Sequence, residues 1–136
     1  MPAPLFACML AAALRYHIPE RVLPAIWEVE HGHAGSIHPN GDGSFDMGLM
    51  QINSLWVKPL AQIVNMTPTQ TASRLVSDNC FNLAASALIL RSFLNETHGN
   101  LMQAIGDYHS HTPELNQRYQ HKILAEAQKL YGPHTR

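Results

Sequence analysis

Apolar positions recur at helical spacing along most of the chain, with one interruption. Pro4 to Tyr16 reads as a first apolar helix. Pro19 and Glu20 start a second that runs to about His31. Pro24 lies inside it and either kinks it or moves its start later. Gly32 to Phe45, rich in glycine, predicts a loop or small hairpin with Asn40-Gly41 as the turn signal. Ser54 to Ile63 predicts a short helix interrupted by Pro59. Thr67-Pro68-Thr69-Gln70 has the form of a capping box, with Thr at the cap, Pro at the first helical position and Gln two further on. Asp78 caps a helix over Asn79 to Leu94 that is apolar nearly all round, the pattern of a central buried helix. Leu101 to Tyr108 forms another, and Thr112-Pro113-Glu114 starts the last, which Gly132-Pro133 ends. The predicted class is mostly α, a compact helical domain with a small polar, partly β excursion near residues 33–52.

The chain has 136 residues, the length expected of a single domain over 1–136. Its 46% hydrophobic content supports a packed core and excludes a disordered chain. Nine Lys+Arg against ten Asp+Glu give a formal net charge of −1, which argues against nucleic-acid binding and a polybasic membrane anchor. No apolar run is long enough to span a bilayer. Met1 to Leu14 is apolar but lacks a basic start and is broken by Pro2 and Pro4, so it reads as a poor signal peptide. Cys8 and Cys80 lie far apart with no zinc or CxxC spacing; they are two buried thiols or one disulfide. Nine histidines, as many as all Lys and Arg together, place most of the charge response near pH 6–7 on imidazoles.

Three segments carry candidate chemistry. On the second helix, Val22, Leu23, Ile26 and Trp27 mark an apolar face, and Glu30 falls on it. Glu28 falls on the opposite side with Glu20, Arg21 and Pro24, so the two carboxylates cannot serve one site. Glu30 is then either a desolvated acid suited to proton donation or a helix-end glutamate that escapes to solvent. Gly48-Leu49-Met50-Gln51-Ile52-Asn53 predicts a tight turn followed by alternating apolar and amide side chains; amides both donate and accept, which suits sugar hydroxyls and N-acetyl groups. Gly106-Asp107-Tyr108-His109-Ser110-His111 gathers polar groups at a helix end. Two metal readings fail on spacing. The alternating Asn40, Asp42, Ser44 and Asp46 lack the glycine and the final glutamate of a calcium loop. The pairs His31/His33 and His109/His111 lie on no predicted strand, where that spacing would face one way. No metal site is expected.

Glu30, then Gly48 to Asn53, then Tyr108-His109-Ser110, in this order, resemble the lysozyme-like lytic transglycosylases of the soluble-transglycosylase type. The likeness is closest to the small specialised enzymes of conjugative-transfer, type IV pilus and secretion systems. It covers roughly Phe6 to Leu130, and the run Asn40 to Asp46 has the look of the conjugative subgroup. The resemblance implies a lysozyme-like fold, with Glu30 as the single catalytic acid/base. His31-Gly32 follows where the family usually carries Ser. Met50 and Gln51 match cleft-lining residues. Tyr108 matches the tyrosine of a Tyr-Asn-Ala-Gly segment, with His109 and Ser110 in place of Asn and Ala. The substrate-binding set implied is His31, Met50, Gln51, Asn53, Tyr108 and His109. Cys8 and Cys80 match a linked pair, which implies an oxidising, periplasmic or cell-envelope compartment.

Most glycosidases use two carboxylates. The resemblance implies one: Glu30 protonates the bond between N-acetylmuramic acid and N-acetylglucosamine, then takes the proton of the sugar's own 6-hydroxyl as that oxygen closes a 1,6-anhydro ring. Gln51 and Asn53 would hold sugar or acetamido groups, and Tyr108 would orient the acid. No cofactor is needed, the partners are peptidoglycan strands and the apparatus served, and a monomer is expected. Two rivals stand beside this. With Asp46 as a second carboxylate the protein is a hydrolytic muramidase. With His31 and His109 disabling the site it is a catalytically weak wall-binding assembly protein. If both histidines line the cleft, their protonation near pH 6–7 would lower the pKa of Glu30.

Overall fold

The computed structural model describes residues 3–132. Pro2, part of the leader reading, and Pro133, part of the last helix's stop signal, lie outside them. The helices are α1 (Ala3–Tyr16), α2 (Val22–Glu30), α3 (Val57–Val64), α4 (Pro68–Ser77), α5 (Asn79–Glu96), α6 (Leu101–His109) and α7 (Pro113–Tyr131). Between α2 and α3 lie three short strands, β1 (Ile37–Pro39), β2 (Phe45–Met47) and β3 (Ile52–Asn53), and a 3-10 turn at Ser54–Trp56. The class is mostly α with a small sheet, as the periodicity predicts.

Helix α5 is the hub. It packs against α1, α4 and α6, while α7 covers α2 and α6. Leu83, Ala87, Ile89 and Leu90 of α5 are buried among Met9 and Ala12 of α1, Leu75 of α4 and Ile105 of α6. Its only buried polar side chains are Asn82 and Ser86, one helical turn apart and therefore on one face. A disulfide joins Cys8 of α1 to Cys80 in the first turn of α5. It closes a loop across a sequence separation of 72, a constraint worth about 4 kcal/mol through the entropy of the unfolded chain.

The local start signals are used as read. Thr67 accepts from the Gln70 amide while the Gln70 side chain accepts from the Thr67 amide, completing the capping box. Asp78 accepts from the Phe81 amide at 3.0 Å to cap α5.

Helix α2 begins at Val22, later than the Pro19-Glu20 signal, because a turn from the Val22 amide to the Pro19 carbonyl comes first. Pro24 therefore sits in the first turn, where its missing N–H costs nothing. It is also fully buried, so it does not share a solvated side with Glu20 and Arg21. The start of α2 lies between α1 and α7 and is buried on all sides from Val22 to Ile26.

The strands form one antiparallel sheet in the order β1-β2-β3. The hairpin turn differs from the Asn40-Gly41 expectation. Five residues, 40–44, connect β1 to β2, the Asn40 amide bonds the Ser44 carbonyl, and the left-handed position falls on Gly43 at φ +88°. Asn40 closes this longer loop with its side chain as well, donating to Ser44 Oγ at 3.1 Å, which a two-residue turn would not permit.

The alternating strand expected over Leu49 to Asn53 is also shorter. Gly48 to Gln51 form a turn, with Gly48 at φ +71° and Gln51 at φ +52°, and only Ile52 and Asn53 pair. A side chain at Gly48 would press into the Leu75 carbonyl and Asn82.

Candidate active site

Glu30 is the last residue of α2, and three local features bring it to the sheet. His31 turns the chain in a left-handed conformation at φ +55°, its amide bonding the Trp27 carbonyl at 2.8 Å. The Trp27 indole donates to the Gly32 carbonyl at 3.1 Å. Gly32 lies so close to the Gly48 and Leu49 carbonyls that no side chain fits. The end of α2 is thus pressed backbone to backbone against the Gly48 turn.

In front of Glu30 lies a cavity of about 450 Å³. One wall is the hairpin, with Asn40, Asp42, Ser44 and Asp46. The 3-10 turn and β3 add Trp56 and Asn53, and the Gly48 turn adds Gln51. The opposite wall is the end of α6, with Tyr108, His109 and Ser110, and Leu115 of α7. The β2–β3 register pairs Asp46 with Asn53, which sets their side chains on one face; Asn53 Nδ2 donates to Asp46 Oδ1 at 3.2 Å and to Ser44 Oγ at 3.1 Å.

Helix α5 holds this assembly from below. Asn82, fully buried, accepts from the Met50 amide at 3.0 Å and donates to the carbonyls of Met47 and Leu75 at 3.1 and 2.8 Å. Ser86 bonds the Tyr108 hydroxyl at 2.8 Å. Tyr108 also donates to the Met50 carbonyl at 3.4 Å. The two buried polar residues of α5 thus each serve one wall of the cavity.

Glu30 Oε2 accepts a 2.6 Å hydrogen bond from the Tyr119 hydroxyl of α7. Burial raises the Glu30 carboxyl above the ordinary glutamate range; the Tyr119 bond opposes the shift, nearby Asp46 adds to it and Lys122 opposes it. Burial also raises Tyr119 well above the usual phenol value, and Glu30 and Tyr108 push it further. Tyr108 is raised chiefly by burial, against the Ser86 bond. Both tyrosines are therefore neutral donors, and Glu30 is an acid biased toward its protonated form. Across the cavity mouth, exposed Asp42 is held below the usual carboxylate range by the hydroxyl and amide of Ser44.

Glu30, Gln51, Asn53, Tyr108 and His109 meet at one cavity; His31 and Met50 do not line it. Met50 is fully buried in the core, and only its backbone amide and carbonyl reach the groups of the site. His31 is exposed beyond the α2 terminus, where the left-handed turn carries it off the cavity wall. His109 lines the cavity with its ring stacked on Tyr119, centroids 4.7 Å apart. Desolvation and Lys122 hold its pKa below the ordinary histidine value, against Asp46. Its surroundings thus disfavour the charged ring, and Asp46 and Lys122 are the charges that act on Glu30.

Glu28 is half-buried and outside the cavity. The oxygens weighed as a calcium loop are engaged with one another: Ser44 donates its amide and hydroxyl to Asp42 Oδ1, at 2.9 and 2.6 Å. Among the described residues the one group of metal-capable side chains is Glu96, Asp107 and His111, only one of them from the histidine pairs considered. There His111 Nε2 lies 3.8 Å from Glu96 and 3.9 Å from Asp107, the spacing of an ion-pair cluster.

Tyr119 is the site residue that sequence reasoning missed. Asn116, Tyr119 and Ile123 form a buried stripe at helical spacing in α7, so its burial was available from periodicity. Asn82 and Ser86 also carried a signal, because polar side chains in an otherwise apolar buried helix need partners.

Comparison with known proteins is consistent across most of the chain. The family described as "Transglycosylase SLT domain" matches residues 7–130. Invasion protein IagB of Salmonella typhimurium is 32% identical over 130 residues, covering 92% of this chain and 78% of that protein. IagB of Salmonella typhi is 32% identical over 128 residues, covering 90% and 76%. Protein IpgF of Shigella flexneri is 29% identical over 125 residues, covering 91% and 78%.

Proposed function

Because the chain belongs to the transglycosylase SLT family, whose substrate is peptidoglycan, we propose that it is a lytic transglycosylase in which Glu30 is the sole acid and base. The observation that carries the reading is the buried Glu30 carboxyl at the cavity, biased toward its protonated form and bonded to Tyr119. With Oε2 accepting from Tyr119, Oε1 is left to donate its proton to the glycosidic oxygen between N-acetylmuramic acid and N-acetylglucosamine. That bond breaks, and the 2-acetamido oxygen supports the charge developing at the anomeric carbon. Glu30, now a carboxylate, takes the proton of the muramyl 6-hydroxyl as that oxygen bonds the anomeric carbon. The product ends in a 1,6-anhydro ring, and Glu30 is again protonated. Gln51 and Trp56 flank the glycan, while the amide of Asn53 holds Asp46 and the loop. The protein works as one domain and a monomer in the periplasm or cell envelope, opening the wall for a secretion, pilus or conjugation apparatus. The name of its relative, an invasion protein, is in keeping with such a role.

Digestion of purified sacculi tests this. Mass spectrometry is expected to find 1,6-anhydromuramic ends. Glu30→Gln is expected to lower their release by about 10²–10⁴-fold, the range for loss of a general acid–base. Full activity in that variant overturns the assignment, and a wild type that binds sacculi without cleaving them supports a wall-binding role instead. A second reading rests on Asp46, which lines the same cavity and acts on the charge of Glu30. If Asp46 activates a water, the products carry reducing ends heavier by that water, and Asp46→Asn abolishes them.

A further inference from the structure

The Tyr119 hydroxyl reaches Glu30 from α7, a helix that packs on both α2 and α6. One turn before Tyr119 lies Asn116, 2% exposed, with both atoms of its amide engaged. Its Nδ2 donates to Asp107 Oδ1 at 2.8 Å and to the Ser110 carbonyl at 2.9 Å. Its Oδ1 accepts from Gln120 Nε2 at 2.6 Å. Asp107 and Ser110 flank the cavity residues Tyr108 and His109 in sequence, and Ser110 itself lines the cavity. The closeness depends on Gly106: a side chain there would overlap the Asn116 amide. Asp107 is buried and its Oδ1 is further held by Gln103 Nε2 at 3.1 Å, so the acceptor that Asn116 meets is itself fixed.

We propose that Asn116 is a positioning residue of the reaction: seated on Gly106 and bonded to Asp107 and Ser110, it sets the register of α7 on α6 that puts the Tyr119 hydroxyl on Glu30. The inference rests on Glu30 being the acid, as proposed above. Asn116 is not among the residues that line the cavity, so it acts only through the placement of α7 and the α6 terminus. A helix sliding or rolling by even one ångström would stretch a 2.6 Å hydrogen bond beyond useful length. Losing that donor removes an interaction that favours the carboxylate, so the Glu30 pKa rises.

The groups acting on Glu30 are Tyr119, Asp46 and Lys122; Tyr108 lines the same cavity, and the ring of His109 stacks on Tyr119. Tyr119 and Lys122 both stand on α7, so a shift of that helix moves both groups that lower the Glu30 pKa, whereas Asp46 stands on β2. An acid catalyst loses activity as pH rises through its pKa, so the alkaline limb of kcat/KM on sacculi reports Glu30. Tyr119→Phe is expected to move that limb to higher pH by on the order of half a unit. Asn116→Ala is expected to move it in the same direction by at least a similar amount, and the double variant no further than Asn116→Ala alone. Asn116→Ser keeps one donor and less bulk is lost, so it provides the same readout, with a smaller shift, if the alanine variant does not fold. A residue important only for packing would lower melting temperature and the yield of active protein without moving the limb. An unmoved limb in Asn116→Ala or Asn116→Ser, with Glu30→Gln inactive, overturns this inference alone. An active Glu30→Gln overturns it together with the reading beneath it.

Discussion

Ionising Glu30 in place is harder for the folded protein than for the unfolded chain, because burial at the end of α2 takes its carboxylate out of water. Its folded pKa is raised, so its contribution to stability is complete below the unfolded value and is lost as pH rises through the folded one. Glu30→Gln removes that loss. The variant is expected to melt higher than the wild type at pH 7, by roughly 2–5 °C, with the gap closing near pH 4; calorimetry at the two pH values checks it. The placement of Glu30 was legible because successive helical residues turn by a fixed angle, which set it on the face of Ile26 and Trp27. Its partner was not legible. Tyr119 lies 89 positions away in sequence, and only the packing of α7 over α2 brings the hydroxyl to the carboxylate.

At the scale of elements, the helices with local punctuation are the ones the sequence specified best. Thr67 with Gln70, and Asp78 with the Phe81 amide, act within four residues, so nothing distant can override them. The Gly48 turn is the opposite case. Its Gln51 amide and side chain close on the Gly48 carbonyl, but it is anchored by Asn82, more than thirty residues on. The alternating pattern of Leu49 to Asn53 therefore suggested a strand where the chain makes a turn. Met50, which the family resemblance places at the cleft, is in the core instead. The dependence of this turn on α5 is testable. Asn82→Ala strands a buried amide and two carbonyls, and is expected to cost roughly 3 kcal/mol, read as a lower urea midpoint. Because the turn also carries Gln51 and abuts the exit of Glu30, activity under conditions where the variant remains folded is expected to fall as well.

For the whole molecule, the order of the chain and the order of the site differ. Glu30, the hairpin and the Gly48 turn all lie between Cys8 and Cys80, whereas Tyr108, Asn116 and Tyr119 follow Cys80. Helix α5 belongs to both parts, since its Asn82 serves the first and its Ser86 the second. Such a division has a mechanical meaning. When the oxidised protein is stretched from its two ends, tension passes from α1 to α5 through the sulfur bridge, and the ring that holds Glu30 and the sheet carries no load. Helices α6 and α7 lie in the path of the force and part from Glu30 first. In a single-molecule pulling experiment, reduction is expected to release the hidden ring and lengthen the extended chain by about 250 Å, from a separation of 72 residues at some 3.5 Å each.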